Sequence, residues 1–278
     1  MNKITNIKKV LLYSQDPDYD FSSVIDYLYS KGIQAFPFNP NFEDRSWGIW
    51  DAMLTFGGDG TFLRGANIAE QYDIPVVGFN HGHLGFLCSF PKEMEKEGLE
   101  KFANGELSYS TRSRLEIEKE DLDSITRGEN AVTAFNDLVI KHGPKWRMLD
   151  LALTINGEPV TRFTADGLII STPAGSTGYN LAVGGPIMTP TSKCFIAAPI
   201  APHSITSRPI VFGEDDELTI TLMNDAETIC KYDGILTSET LKKDESFLVT
   251  KTSSESKVVP LHQNVFYTLK EKMNWKRL

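Results

Sequence analysis

Apolar residues recur along this chain in two rhythms, and the change between them falls near residue 108. Before it, short apolar runs alternate with helical patterns. Residues 9–13 (Lys-Val-Leu-Leu-Tyr) read as a strand; Phe21, Val24, Ile25, Leu28 and Tyr29 then recur at helical spacing until Lys31-Gly32 ends the pattern. Further strands are predicted over residues 33–38, 52–56 and 74–79, and helices over 61–72 and 92–102, the latter a charged surface helix. Strands that alternate with helices imply a parallel sheet covered by helices on its faces.

Beyond residue 108 the helical period fades, and strands are predicted over 115–119, 132–141, 149–155, 168–171, 217–223 and 247–251. Asn156-Gly157, between Leu-Ala-Leu-Thr-Ile and Glu-Pro-Val, is a hairpin signal because both residues tolerate positive φ. The sequence contains no internal repeat or low-complexity tract. With residues 265–272 returned to the first half, the division is an α/β domain over 1–108 plus about 258–278, and a β-rich domain over 109–257.

Composition narrows the function classes. With 278 residues, 41% of them hydrophobic and 23% charged, the chain can bury two modest cores. A formal net charge of −9 argues against a nucleic-acid binder with a broad basic face and gives no reason to expect a membrane surface. Cys88, Cys194 and Cys230 are odd in number and far apart, so neither a disulfide framework nor a zinc knuckle is expected. The apolar run at 10–13 is too short for a signal peptide, and a cytoplasmic location is expected. Residues 167–192 carry no charge but hold five glycines and three prolines, a pattern that suits a buried or ligand-facing segment better than a membrane helix.

Three stretches offer chemistry. The first is Gly57-Gly58-Asp59-Gly60 at a strand-to-helix corner, where backbone amides attract anions. Leu63 occupies the place of the last glycine of a dinucleotide fingerprint, and Ala66-Asn67 stands where a phosphate loop needs Lys-Ser/Thr. Asp59 is thus either a solvated residue of a tight turn or an acid that handles a proton or shares a cation with phosphate. The second is Asn136-Asp137 inside an apolar strand, where adjacent residues point to opposite faces; they form either a strand-end turn or a polar pair that needs a partner. The third is the small-residue turn from Pro173 to Asn180, either a structural loop or a nucleotide site built of amides, the Ser176 and Thr177 hydroxyls and the Tyr179 ring. His81 and His83 flank Gly82 but have no evident third metal ligand, and His203 is expected to be a buried hydrogen-bonding residue. Asp18 to Asp20 and the acids between Glu93 and Glu100 read as solvated faces.

Taken in order, Gly57-Gly58-Asp59-Gly60-Thr61, Asn80-x-Gly82-x-Leu84-Gly85-Phe86-Leu87, Asn136-Asp137, Asp166-Gly167 with Thr172-Pro173-x-Gly175-Ser176-Thr177-x-Tyr179-Asn180, and Pro202-His203-Ser204 with Arg208-Pro209 resemble the NAD kinase family. The bare glycine-acid turn is shared with phosphofructokinases and diacylglycerol-type lipid kinases; the ordered set is more specific and covers residues 52–212, with Asp233-Gly234 resembling a further family position. The resemblance implies an N-terminal Rossmann-like α/β domain, a C-terminal all-β, sandwich-like domain and transfer of the γ-phosphate of ATP to the 2′-hydroxyl of the adenosine ribose of NAD. Carried over by position, Asp59 is the catalytic acid facing that hydroxyl. Gly58, Gly60, Arg64, Phe86, Asn136, Asp137, Asp166, Ala174, Thr177, Gly178, Tyr179, Ala182 and Asp233 are the nucleotide-binding positions. The resemblance also implies Mg²⁺ or another divalent cation accompanying ATP, NAD and ATP as ligands with polyphosphate as an alternative donor, and a homotetramer; it implies no protein-bound metal, nucleic acid or membrane. Family members usually carry Glu at position 137, often Thr at 174 and often Ala at 178, whereas this chain has Asp137, Ala174 and Gly178. The alternatives are a lipid or sugar kinase with the same turn, or a dinucleotide-binding regulator with weak turnover.

Overall fold

The computed structural model describes residues 1–39, 49–120, 132–237 and 240–274. The chain divides into two compact units, Met1–Arg112 with Ser256–Leu278, and Ser113–Glu255. Its α-helices are α1 (Ser22–Ser30), α2 (Asp59–Gln71), α3 (Glu95–Ala103), the single-turn α4 (Tyr179–Ala182) and α5 (Val265–Lys272).

In the first unit, Lys9–Tyr13, Gln34–Pro37, Ala52–Gly57 and Val76–Asn80 pair in parallel, as expected when helices return the chain to one edge of the sheet. Ser256–Val258 and Ser108–Arg112 extend that sheet beyond Val76–Asn80, so the C-terminal segment completes the unit together with a strand the apolar pattern did not reveal. One face of the sheet packs Val10, Leu12, Leu54, Phe56, Val77 and Phe79 against Val24 and Leu28 of α1 and Leu99 and Phe102 of α3. Each such side chain contributes about 1.5–3 kcal/mol by leaving water. Phe62, Ala66 and Ala69 of α2 are buried as well. The helix predicted over 92–102 begins as a 3₁₀ turn, Lys92–Met94, before α3.

α2 starts two residues earlier than its apolar period suggests. Gly58 is extended (φ −88°, ψ −170°) and serves as the N-cap, so Asp59 and Gly60 lie inside the first turn. The negative side chain then sits at the positive end of the helix dipole. Gly57 has φ +155°, and a Cβ there would come within 2.3 Å of Thr61 Oγ1, so only glycine allows the helix to begin so close to its strand.

The second unit is a pair of six-stranded antiparallel sheets. One runs Glu158–Ala165, Leu149–Ile155, Leu218–Leu222, Ser246–Lys251, Leu115–Glu120, Val132–Ala134; the other runs Ile210–Gly213, Cys194–Ile200, Gly167–Ser171, Asp137–His142, Thr228–Tyr232, Ile235–Leu236. A single core takes Leu151, Leu153, Ile220 and Val249 from the first and Leu138, Ile140, Leu168 and Phe195 from the second. This is the sandwich-like, all-β unit expected. Asn156 (φ 52°) and Gly157 (φ 79°) make the anticipated hairpin between Leu149–Ile155 and Glu158–Ala165.

The predicted strand over 132–141 is broken. Val132–Ala134 belongs to the first sheet and Asp137–His142 to the second, with Phe135 and Asn136 forming the step between them. Residues on either side of the step are equally apolar, which is why periodicity ran them together. Cys194–Ile200, Ile210–Gly213 and Thr228–Tyr232 were not anticipated. The first of these is buried from Phe195 to Ile200 on both faces, because Ile196, Ala198 and Ile200 join Val139, Ile169 and Met188 in a second apolar cluster. A strand covered on both sides shows no alternation.

Candidate active site

Asp59 is not a solvated turn residue. Half-buried at the head of α2, it accepts hydrogen bonds from two successive amides of the loop that follows Val76–Asn80: Phe86 N to Oδ2 at 2.7 Å and Leu87 N to Oδ1 at 3.1 Å. The loop backbone passes so close that a Cβ on Gly85 would fall 2.0 Å from Asp59 Oδ1. The same loop is braced by Asn80, whose Nδ2 donates to His83 O at 2.8 Å and whose Oδ1 accepts from Gly82 N at 2.9 Å. A carboxylate offers about four acceptor positions, more than its neighbours here occupy, so Asp59 can still accept from another donor. The first-turn amides of α2 have no intrahelical acceptor, which leaves donors beside the acid.

The surrounding groups define the loop further. Cys88 is buried, and burial first, then the charge of Asp59 and a hydrogen bond to it, push its thiol above the usual range, so it stays protonated at neutral pH. Lys272 of α5 places its ammonium 4.5 Å from the centre of the Phe86 ring, a cation–π contact that spacing along the chain gave no means of finding. Gln15 accepts from the Thr61 hydroxyl at 3.3 Å, also without a sequence signal. Arg64 is exposed on α2. His81 contacts Glu95 through Nε2 and lies against the Tyr19 and Phe56 rings, while His83 is exposed. Among the described residues no three His, Cys, Asp or Glu side chains converge as metal ligands.

In the second unit Asp137, Asp233 and the turn after Ser171 meet at the step of Phe135 and Asn136, whereas Asp166 stands at the far end of the paired strands Asp137–His142 and Gly167–Ser171. Asp137 opens its strand, opposite Ser171, and is 6% exposed. The segment after Ser171 turns through Thr172 to Thr177, with Ala174 buried, Thr177 half-buried, Gly178 exposed as the N-cap of the short α4, and Tyr179 and Ala182 exposed on it. Asn180 is fully buried and donates through Nδ2 to Ser176 O and Pro186 O, both at 3.0 Å, which makes it a brace of this turn. Asp166 is half-buried at the junction of Glu158–Ala165 and Gly167–Ser171, its backbone bonded to Ile200 and His142. Asp233 lies in the two-residue turn joining Thr228–Tyr232 to Ile235–Leu236.

His203 corrects an expectation: it is exposed, not buried. Its amide donates to Thr164 O at 2.9 Å, and with Arg162, Ser204 and Arg208 it lines a cavity of about 590 Å³. Residues 201–208 form an irregular loop outside the ladder, so neighbouring strands do not cover the ring.

The Asp137 carboxyl is pushed up to about 7, by burial first and by the charge of Asp233 second. Its ordinary value is 3.8, so the folded protein holds this proton more tightly than the unfolded chain does. The associated stability is complete below the ordinary value and disappears as pH rises through about 7. Asp137→Asn cannot ionise. In thermal melts it is expected to unfold several degrees above the parent at pH 8, with the advantage shrinking toward zero near pH 4; a pH-independent difference contradicts the assignment.

Comparison with known proteins adds to this geometry. Residues 41–107 match the family model of the ATP-NAD kinase N-terminal domain, and residues 135–261 that of the C-terminal domain. The chain is 34% identical over 226 residues to an NAD kinase of Gemmatimonas aurantiaca, covering 81% of this chain and 78% of the relative. It is 31% identical over 269 residues to an NAD kinase of Bdellovibrio bacteriovorus, covering 96% and 86%. A crystal structure of yeast NADH kinase complexed with NADH superposes with a TM-score of 0.81 at 22% identity, covering 98% of this chain and 89% of that one. An NAD kinase from Archaeoglobus fulgidus in complex with ATP gives 0.77 at 24%, covering 96% and 98%. The two structures share the fold; the family models, in order along the chain, and relatives above 30% identity carry the assignment: this chain belongs to the NAD kinase family.

Proposed function

We propose that the chain transfers the γ-phosphate of ATP to the 2′-hydroxyl of the adenosine ribose of NAD, giving NADP and ADP. The observation that carries this reading is the match to both NAD kinase domains, in order, over most of the chain. In the reaction the ribose oxygen attacks the γ-phosphorus, its proton passes to Asp59, and the bond from that phosphorus to the β,γ-bridging oxygen breaks. Phosphoryl transfer depends chiefly on positioning and charge neutralisation, so one carboxylate held in a fixed orientation is enough protein base.

Amides of Gly58 and Gly60 at the head of α2 then hold phosphate oxygens. Asn136 and Asp137 receive adenosine and ribose groups, and Asp166, Ala174, Thr177, Gly178, Tyr179 and Ala182 line the dinucleotide. Asp137, one methylene shorter than the Glu usual in the family, sets its ribose contact further back. The divalent cation belongs to the donor substrate, arriving on its phosphates and neutralising their charge. A homotetramer in the cytoplasm is the assembly proposed.

The test is a coupled assay on pure protein with Mg²⁺, pairing ATP or polyphosphate as donor with NAD, NADH, fructose 6-phosphate or diacylglycerol as acceptor. NADP formed from NAD and ATP is the expected product. Phosphorylation of the sugar or lipid instead, or NAD binding without turnover, overturns the reading in favour of a related kinase or a regulator.

A further inference from the structure

Asp233 and Thr172 grip the same two peptide groups from opposite edges. Where the chain steps from one sheet to the other, the amides of Phe135, Asn136 and Asp137 all point at one carboxylate: Phe135 N donates to Asp233 Oδ2 at 2.8 Å, and Asn136 N and Asp137 N donate to Oδ1 at 2.6 and 3.2 Å. Asp233 N in turn donates to Asp137 O at 3.0 Å. On the other edge, Thr172 Oγ1 donates to Phe135 O at 2.7 Å and Thr172 N to Asn136 O at 2.9 Å. Gly175 closes on the same edge, where a Cβ would lie 2.2 Å from Asn136 O.

The turn alone does not require an acid. Asp233 (φ 51°) and Gly234 (φ 78°) fit a two-residue hairpin that Asn-Gly or Gly-Gly makes equally well. The three accepted bonds are a separate feature, and bonds to an ionised acceptor are the stronger kind. What they fix is the backbone that carries Asn136 and Asp137. Asn136 Oδ1 is buried without a hydrogen-bond partner among the described residues, the state of a group preset for a donor that comes from outside.

We propose that Asp233 is a positioning residue: its carboxylate holds the 135–137 backbone so that Asn136 and Asp137 are preset to receive the acceptor's adenosine ribose. This rests on the proposal that those two residues meet the acceptor. Asp233 therefore acts through its neighbours and not by contact with substrate, and its loss weakens acceptor recognition while leaving the donor side unchanged.

The experiment uses the full chain and two variants, Asp233→Asn and Asp233→Gly, both compatible with the turn. Asn replaces one acceptor oxygen with a donor facing the amides; Gly removes the group. Each is expected to raise KM for NAD by about tenfold or more and to leave KM for ATP within about twofold, since a lost charge-assisted bond is worth a factor of this size. Amide exchange at residues 135–137 is expected to quicken in both. Unchanged KM for NAD in both variants, or equal rises for NAD and ATP, overturns the proposal, as does failure of both variants to fold, which makes Asp233 a folding residue. If the parent makes no NADP, the functional reading fails instead; NAD dissociation constants from calorimetry then replace KM, with the same expectations for the two variants.

Discussion

Asp59→Asn is expected to lower the rate of phosphoryl transfer by about 10²- to 10⁴-fold, the range that a positioned general base contributes, while NAD affinity stays within a few-fold. The substitution keeps size and shape. It also keeps one oxygen able to accept from Phe86 N or Leu87 N, but turns an NH₂ group toward the other amide, so the loop at 85–87 loosens on one side only. Thermal unfolding is thus expected to fall by a few degrees, far less than needed to explain the kinetic loss. Single-turnover kinetics separate the two effects: a variant that transfers phosphate at the parental rate shows that Asp59 only ties the loop to α2.

Gly85→Ala is the second large effect, and it reaches the same carboxylate from the other side. The added methyl would lie 2.0 Å from Asp59 Oδ1 and 2.7 Å from Oδ2. Neither atom is the end of a long flexible side chain, so either the acid or the loop must move, at a cost of about 1–3 kcal/mol in stability. Both amide bonds to Asp59 are then lost together, and turnover is expected to fall by about 100-fold or more, as displacement of a catalytic group by an ångström does. Denaturant unfolding and steady-state kinetics measure the two consequences. A Gly85→Ala protein with parental turnover means that the Asp59 carboxylate does not need its observed position.

Much of this is legible in the sequence itself. The alternation of strands and helices up to residue 108 and the Asn156-Gly157 hairpin depend on local chemistry, which a sequence displays directly. The glycine-acid turn was visible too, but its role was not. Whether Asp59 faces water or binds the amides of Phe86 and Leu87 depends on residues more than 25 positions away, and no spacing rule reports that pairing. The step at Phe135 and Asn136 was hidden for the same reason: its amides are satisfied by Asp233, almost a hundred residues on. Phe195 to Ile200 escaped because two apolar clusters cover both faces and erase the alternation. The exposure of His203 is hidden from the sequence because a histidine among Pro, Ser and Thr carries no periodicity to say which way its loop turns.

The proposed reaction needs one oxygen of Asp59 at the reacting hydroxyl while the amides of Phe86 and Leu87 hold the carboxylate in place. A crystal structure of the protein with NAD and a non-hydrolysable ATP analogue tests it most directly. The expected result is an Asp59 oxygen within about 3.2 Å of the ribose 2′ oxygen, with both loop amides still bonded to the acid. A complex in which Asp59 remains on its amides while a different side chain meets that hydroxyl contradicts it.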